Sequence, residues 1–162
     1  MMADRHYSFR QLTLDDLPLL AVWQSTPHVS AWWNSREPYT ATELADTRVA
    51  RWIVSTPRGP FAFMQDYTVH GWDDHHFAGL PSGSRGIDQY IGESDMIGIG
   101  HGSAFIAARM RSLFSAGVPV IATDPHPANE RAIAVYKKLG FEPAGQPVET
   151  PFGLILPMLA RQ

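Results

Sequence analysis

The chain has 162 residues, of which 44% are hydrophobic and 11% aromatic, enough to fill the core of one domain without staples. Cysteine is absent, which excludes a disulfide frame, a thiolate metal site and a cysteine nucleophile. A net charge of −3 argues against a nucleic-acid partner. The start, Met1–His6, lacks an apolar leader core, and no apolar run is long enough to cross a bilayer. The expectation is a cytoplasmic protein without a membrane partner, a monomer or weak homodimer.

Tyr7–Leu12 alternates in polarity and reads as a first strand. Thr13 is placed to cap a helix with Asp15 and Asp16 in its first turn, Pro18 close behind, and Leu17, Leu20 and Ala21 as its apolar face. Pro27–Trp33 reads as a loop or broken helix. Its paired Trp32 and Trp33 are either core plugs or a wall for a ligand. Thr40–Glu43 is a capping box, and Leu44, Ala45 and Val49 continue a helical stripe. Trp52–Val54 suits a second strand, Thr56–Pro60 a turn, and Phe61–Val69 a third strand that forms a hairpin with the second.

The next stretch, His70–Gly83, has no periodicity and is long for a loop without work to do. It is read either as a solvated hairpin loop or as an acidic flap over an acceptor. Its Asp73, Asp74, His75 and His76 do not suggest a metal, because adjacent histidines are expected to point apart and no third ligand is suitably spaced.

Gly86–Ile91 is a short strand. Gly98, Gly100 and Gly102 then alternate just ahead of a helical pattern. Glycines there leave the backbone open to a ligand, and the first amides of a helix carry the positive end of its dipole. The combination predicts a phosphate cradle. It is not a P-loop, since Gly102-Ser103-Ala104 stands where Gly-Lys-Ser/Thr is required. A dinucleotide fold is disfavoured because its third glycine falls at Ser103 and little chain remains after Asp124. A coenzyme A pyrophosphate loop remains.

Beyond the cradle, Ile106, Met110, Leu113 and Phe114 form a buried helix face that ends at Gly117. Val118–Thr123 is a strand with a proline near its start. Asn129, Ile133 and Tyr136 share one face of a following helix, with about 10 Å between the first and last along the axis, and Gly140 ends it. The tail from Gln146 to Leu159 suits one or two strands with a turn at Thr150–Gly153.

The segment Asp124-Pro125…Asn129-Glu130-Arg131-Ala132-Ile133…Tyr136-Lys137-Lys138-Leu139-Gly140-Phe141 resembles the signature of the GCN5-related N-acetyltransferases, with the glycine turn ahead of it. Arg85-Gly86-Ile87-Asp88-Gln89 resembles the corresponding motif of the aminoglycoside 6′-N-acetyltransferases within that superfamily. The resemblance covers Arg85–Phe141, about a third of the chain. It implies an α/β fold with a central, mostly antiparallel twisted sheet, a β-α-β-α core that binds acetyl-CoA, and a cationic amine, an aminoglycoside, as acceptor. It also implies that Gln89, Tyr90, Ile91, Ile97, Gly98, Ile99, Gly100, His101, Gly102, Ser103, Asn129, Ala132 and Tyr136 hold the cofactor. Trp32, Trp33, Gln65, Trp72, Asp73, Asp88, Asp124 and Phe152 would face the acceptor. Three positions depart from the family pattern. Ile97 replaces a polar residue of the turn, Asp73 replaces a second tryptophan, and Phe152 stands where an acid is usual.

Acetyl transfer to an amine needs the cofactor held, a proton removed from the ammonium, an oxyanion stabilised and the departing thiolate protonated. Asp88 is the candidate base, being a carboxylate in mid-strand where such residues are depleted. Its plain alternative is a strand-end carboxylate capping a loop. Tyr136, with a hydroxyl of ordinary pKa ~10, is the candidate acid; its alternative is packing. Asp124 is read as a second anchor for a polycation or as a helix cap, and Glu149 and Asp74 as weaker candidates. Backbone N–H groups near Tyr90 and Ile91 are the candidate oxyanion donors. Rival readings are another small amine as acceptor, such as a hydroxylated lysine, a diamine or a peptide terminus, and a non-catalytic acetyl-CoA-binding domain.

Overall fold

The computed structural model describes residues 6–33, 35 and 37–162, so Met1–Arg5 of the expected leaderless start lie outside the described residues. Among the described residues, nine strands and five α-helices follow one another: β1 (Ser8–Gln11), α1 (Leu17–Gln24), α2 (Pro27–Ser30), α3 (Ala41–Ala45), β2 (Val49–Thr56), β3 (Gly59–Thr68), β4 (Arg85–Ile91), α4 (His101–Ser115), β5 (Val120–Thr123), α5 (Glu130–Lys138), β6 (Glu142–Pro143), β7 (Val148–Thr150), β8 (Gly153–Ile155) and β9 (Met158–Arg161). Seven strands share one mixed sheet in the order β1-β2-β3-β4-β5-β9-β6, while β7 and β8 form a separate hairpin. The fold is the expected α/β type, with β4-α4-β5-α5 in sequence. By contacts the chain divides into two compact units, residues 1–65 with 89–105, and residues 66–88 with 106–162.

In the first unit β1 pairs antiparallel with β2, Phe9 opposite Val54. Its core gathers Leu12, Leu20, Trp23, Ile53 and Phe63. The start of α1 follows the capping logic: Thr13 opens a 3₁₀ turn, Leu14–Asp16, and the backbone N–H of Thr13 donates to Asp16. Asp16 in turn accepts two bonds from Arg10, at 2.9 and 2.7 Å. Ala21, expected inside, is exposed, and Trp23 takes the inward position. Its indole N–H donates to Glu93 at 2.8 Å. The capping box of α3 is present, but the helix stops at Asp46, so Val49 belongs to β2 and not to a helical stripe. The turn between β2 and β3 is narrowed to Pro57 and Arg58.

In the second unit β5 lies parallel to β4, with Arg85 opposite Ile121 and Gly86 opposite Ala122, and antiparallel to β9. The tail holds more strands than its local sequence suggests. β7, β8 and β9 all lie within it, β6 precedes it, and β9 runs on to Arg161. The reason is long range, since β9 is ordered by β5 on one side and β6 on the other. Val118 and Pro119 fall outside the strand, because the Val118 N–H turns back to Leu113 at the end of α4. Phe114 is only half-buried, whereas Ile106, Met110 and Leu113 are buried as expected.

The most deeply buried carboxylate here is one the pattern of β3 hides. Asp66 has no exposed surface. Arg85 donates to one of its oxygens at 2.8 Å and Arg109 to the other at 2.9 Å. Arg85 also reaches the Asp66 carbonyl at 3.0 Å. Three elements are thereby joined, the end of β3, the start of β4 and α4. A buried carboxylate is costly to hold unless it is paired and fully hydrogen-bonded, as this one is.

Two outcomes follow. Asp66→Ala should cost about 3–5 kcal/mol of stability in urea unfolding, because it strands two guanidinium groups against each other. Asp16→Ala should cost about 1 kcal/mol at neutral pH, the usual worth of a cap. The bond from Arg10 holds the Asp16 carboxyl below its ordinary value, so that contribution is complete above the unfolded carboxylate range of about 4. It is lost as pH falls through the lowered folded value, and the stabilities of wild type and variant should converge in acid.

Candidate active site

The first unit carries the glycine turn. Gly98 and Gly100 adopt φ of +76° and +92°, a left-handed conformation that other residues avoid. Beside Gly98 a side chain would meet nothing within 4 Å, so this face of the turn is open. α4 starts at His101, so Gly102 and Ser103 lie inside its first turn and not ahead of it. The first bond there runs from the Ala104 N–H to the Gly100 carbonyl, at 3.2 Å. The amides of His101, Gly102 and Ser103 precede any carbonyl they could reach within the helix. An open turn ending in such amides fits a pyrophosphate, and backbone from Gly98 to Ser103 would hold it. Ile97 contributes less, since its amide turns back to the Ser94 carbonyl. Ile99 is 53% exposed.

The His101 ring does not project from the turn. Its Nδ1 bonds the Tyr7 hydroxyl at 2.9 Å, and the ring packs against Phe61 at 5.4 Å. Tyr90 is likewise turned into its own unit, stacked on Phe63 at 5.2 Å with its hydroxyl accepting from Gln24. Burial pushes that hydroxyl far above its ordinary value. His28 donates to the Ile91 carbonyl at 2.9 Å, and the Gly92 N–H to the Phe61 carbonyl at 2.7 Å. The paired tryptophans divide their roles. Trp33 packs edge-on against Tyr90 at 4.9 Å, as a core plug would, while Trp32 is 46% exposed. Gln65, at the end of this unit's part of β3, is half-buried.

The second unit carries the acids. Tyr67 on β3 lies across Gly86 of β4, so closely that a side chain at Gly86 would come within 2.2 Å of the Tyr67 ring. Alternation along β4 puts Asp88 on the same face as Gly86. Burial, then the charges of Asp88 and Asp124, push the Tyr67 hydroxyl well above its ordinary value. The two carboxylates therefore act on one buried phenol, which stays protonated and able to donate. The ladder between β4 and β5 gives way just there, the Thr123 hydroxyl donating to the Ile87 carbonyl at 3.2 Å. Asp124 follows at once and does not cap α5; Asn129 does.

Asn129 sits one residue ahead of α5, its side chain accepting from the Ala132 N–H at 3.2 Å. Both residues are thus tied to each other at the helix start. Tyr136 is 7% exposed and packs edge-on against Phe141 at 5.4 Å.

The His70–Gly83 stretch has no helix or strand, but it is tied down from within. His70 donates to the Ala78 and Leu80 carbonyls, and Phe77 is buried. His75 and His76 do not point apart. Their rings stack at 4.2 Å, and His76 bonds Asp124 at 2.8 Å. Burial, then the neighbouring His76, lower the pKa of His75. Among the described residues no group of three or more His, Asp or Glu is arranged to hold a metal. Trp72 packs on Tyr67 at 6.1 Å, and Phe152, at the β7–β8 turn, lies 6.4 Å from His76. Asp73 and Asp74 are exposed. Of the expected acceptor residues in this unit, Asp88, Asp124, Trp72 and Phe152 thus meet around Tyr67 and His76, and Asp73 does not. Sequence reading misses Tyr67 and His76. An acid-bearing strand tip and a loop histidine carry no local mark of belonging together.

The family model described as an acetyltransferase (GNAT) domain matches residues 13–147. An aminoglycoside N(6′)-acetyltransferase type 1 of Klebsiella pneumoniae is 32% identical, the match covering 90% of this chain and 78% of that protein. The structure of the aminoglycoside acetyltransferase AAC(6′)-Ib in complex with coenzyme A and kanamycin superposes with a TM-score of 0.84 at 32% identity, over 97% of this chain and 95% of that one. An uncharacterized protein from Bacillus halodurans superposes with a TM-score of 0.90 at 26% identity, over 98% and 86%. With the glycine turn at the head of α4 and a family match across most of its length, the chain belongs to the GNAT acetyltransferases and is an acetyl-CoA-dependent N-acetyltransferase.

Proposed function

We propose that the acceptor is an aminoglycoside and that the amine acetylated is its 6′-amine, with Asp88 as base and Tyr136 as acid. The observation that carries this reading is the Tyr67 ring lying over Gly86, on the face of β4 that also bears Asp88, with Trp72 of the loop packed on that ring. The Asp88 carboxylate suits an amino sugar's reacting ammonium, and the Trp72 face suits the apolar side of a sugar ring. The relatives named as aminoglycoside acetyltransferases support the same reading.

The cofactor, held by the amides of Gly98–Ser103, supplies an acetyl group as a thioester. Asp88 binds the incoming ammonium and accepts its proton, directly or through water, which exposes the lone pair. The Tyr67 hydroxyl, kept protonated by burial and by the nearby charges of Asp88 and Asp124, adds no negative charge of its own beside them. Tyr136 donates its phenolic proton to the departing sulfur.

Steady-state release of free coenzyme A with a panel of amines tests the substrate class. Aminoglycosides bearing a 6′-amine should support turnover, and those with a 6′-hydroxyl should not. Turnover only with a diamine or a peptide terminus would replace the acceptor. Tight acetyl-CoA binding without release under any amine would instead identify a sensor. Asp88→Asn should lower kcat by about 10²-fold with acetyl-CoA affinity retained. Tyr136→Phe should slow turnover less, by about 10-fold, and an unchanged rate would show that solvent protonates the sulfur.

A further inference from the structure

We propose that His76 is a specificity-determining residue. It occupies the Asp124 carboxylate from within the protein and so disfavours acceptors that bring a second ammonium to that carboxylate. The proposal rests on the acceptor reading above and deepens it. His76 Nε2 lies 2.8 Å from Asp124 Oδ2, and the two side chains are only 14% and 15% exposed. Shielded from water, this bond is worth more than an exposed ion pair.

The imidazole is also held in place. His75 stacks on it at 4.2 Å, the buried Phe77 lies at 4.5 Å, and Phe152 meets it edge-on at 6.4 Å. The groups around it that titrate or carry charge are His75, Asp124, and the Tyr67 hydroxyl with Asp88 beyond it. Asp124 is thus an anchor already engaged. An ammonium that approaches Asp124 has to share its carboxylate with a positioned N–H and competes with the imidazole for the lone pairs of Oδ2. A hydroxyl there can accept instead of donate and does not depend on that carboxylate. Phe152, where the family resemblance implies an acid, points the same way: an apolar ring, not a further carboxylate, borders His76. The acceptor class favoured is an amino sugar with one ammonium on the reacting ring and a neutral hydroxyl beside it.

The test compares two aminoglycosides alike except for one amino group, against one hydroxyl, on the ring bearing the 6′-amine. In His76→Ala the KM of the doubly charged acceptor should fall by about tenfold, the scale of one charge-assisted hydrogen bond. The KM of the other should change less, so that the ratio of the two kcat/KM values shifts by about tenfold whatever the common change in rate. His76→Gln, which keeps a donor toward Asp124, should restore wild-type selectivity. An equal change in both KM values, or a rise in the KM of the doubly charged acceptor, would each overturn the proposal. Imidazole proton NMR of the acceptor-free protein keeps the outcome separate from that of the function. The His76 Nε2–H held by Asp124 should give a slowly exchanging resonance that is lost in Asp124→Ala, and a resonance unchanged by that substitution overturns the pairing whether or not an acceptor is acetylated. Failure of the wild type to acetylate either sugar, with that resonance lost in Asp124→Ala, would instead remove the acceptor reading alone.

Discussion

The arrangement of the second unit depends on a carboxylate that never meets solvent. Asp66 receives Arg85 and Arg109 on its two oxygens. Because side chains alternate along a strand, fixing Asp66 and Arg85 on one face also fixes Tyr67, Gly86 and Asp88 on the other. A register slip of one residue would carry a charge into apolar packing and Asp88 away from Asp124. The arginine of the Arg85–Gln89 motif is therefore a structural device that sets the face on which the acid three positions later stands. The glycine between them is explained by the Tyr67 ring that lies over it.

The division of labour between backbone and side chain follows from what each ligand requires. A diphosphate is recognised by charge and by donors, both of which a bare turn and a helix start provide without side chains. That explains why the turn tolerates Ile97 and exposes Ile99, and why His101 can be spent on packing against Tyr7 and Phe61. An amine must be positioned and also deprotonated, which needs carboxylates whose surroundings are controlled. Those surroundings are built from Tyr67, the two loop histidines and Phe152.

What the sequence made legible was local. The caps at Thr13 and Thr40, the glycine turn, the β4-α4-β5-α5 order and the end of α5 all rest on neighbours within a few residues, and the structure has them. What it hid was long range. β9 exists because β5 and β6 flank it. The i+4 and i+7 spacing of Asn129 does not reveal that the helix starts one residue later and that this side chain caps it. Nothing near the histidine pair announces that one of them bonds an aspartate 48 residues away. Asp66 carries no local mark in its apolar strand because its two partners stand 19 and 43 residues off.

The crossing of Tyr67 over Gly86 has a consequence for how this chain can change over time. Position 86 can gain even a methyl group only if the ring moves or shrinks, because that group would meet the ring at 2.2 Å. A smaller residue at position 67 removes the clash together with the buried phenol. The two positions are thus coupled, and a change at one alters what the other tolerates.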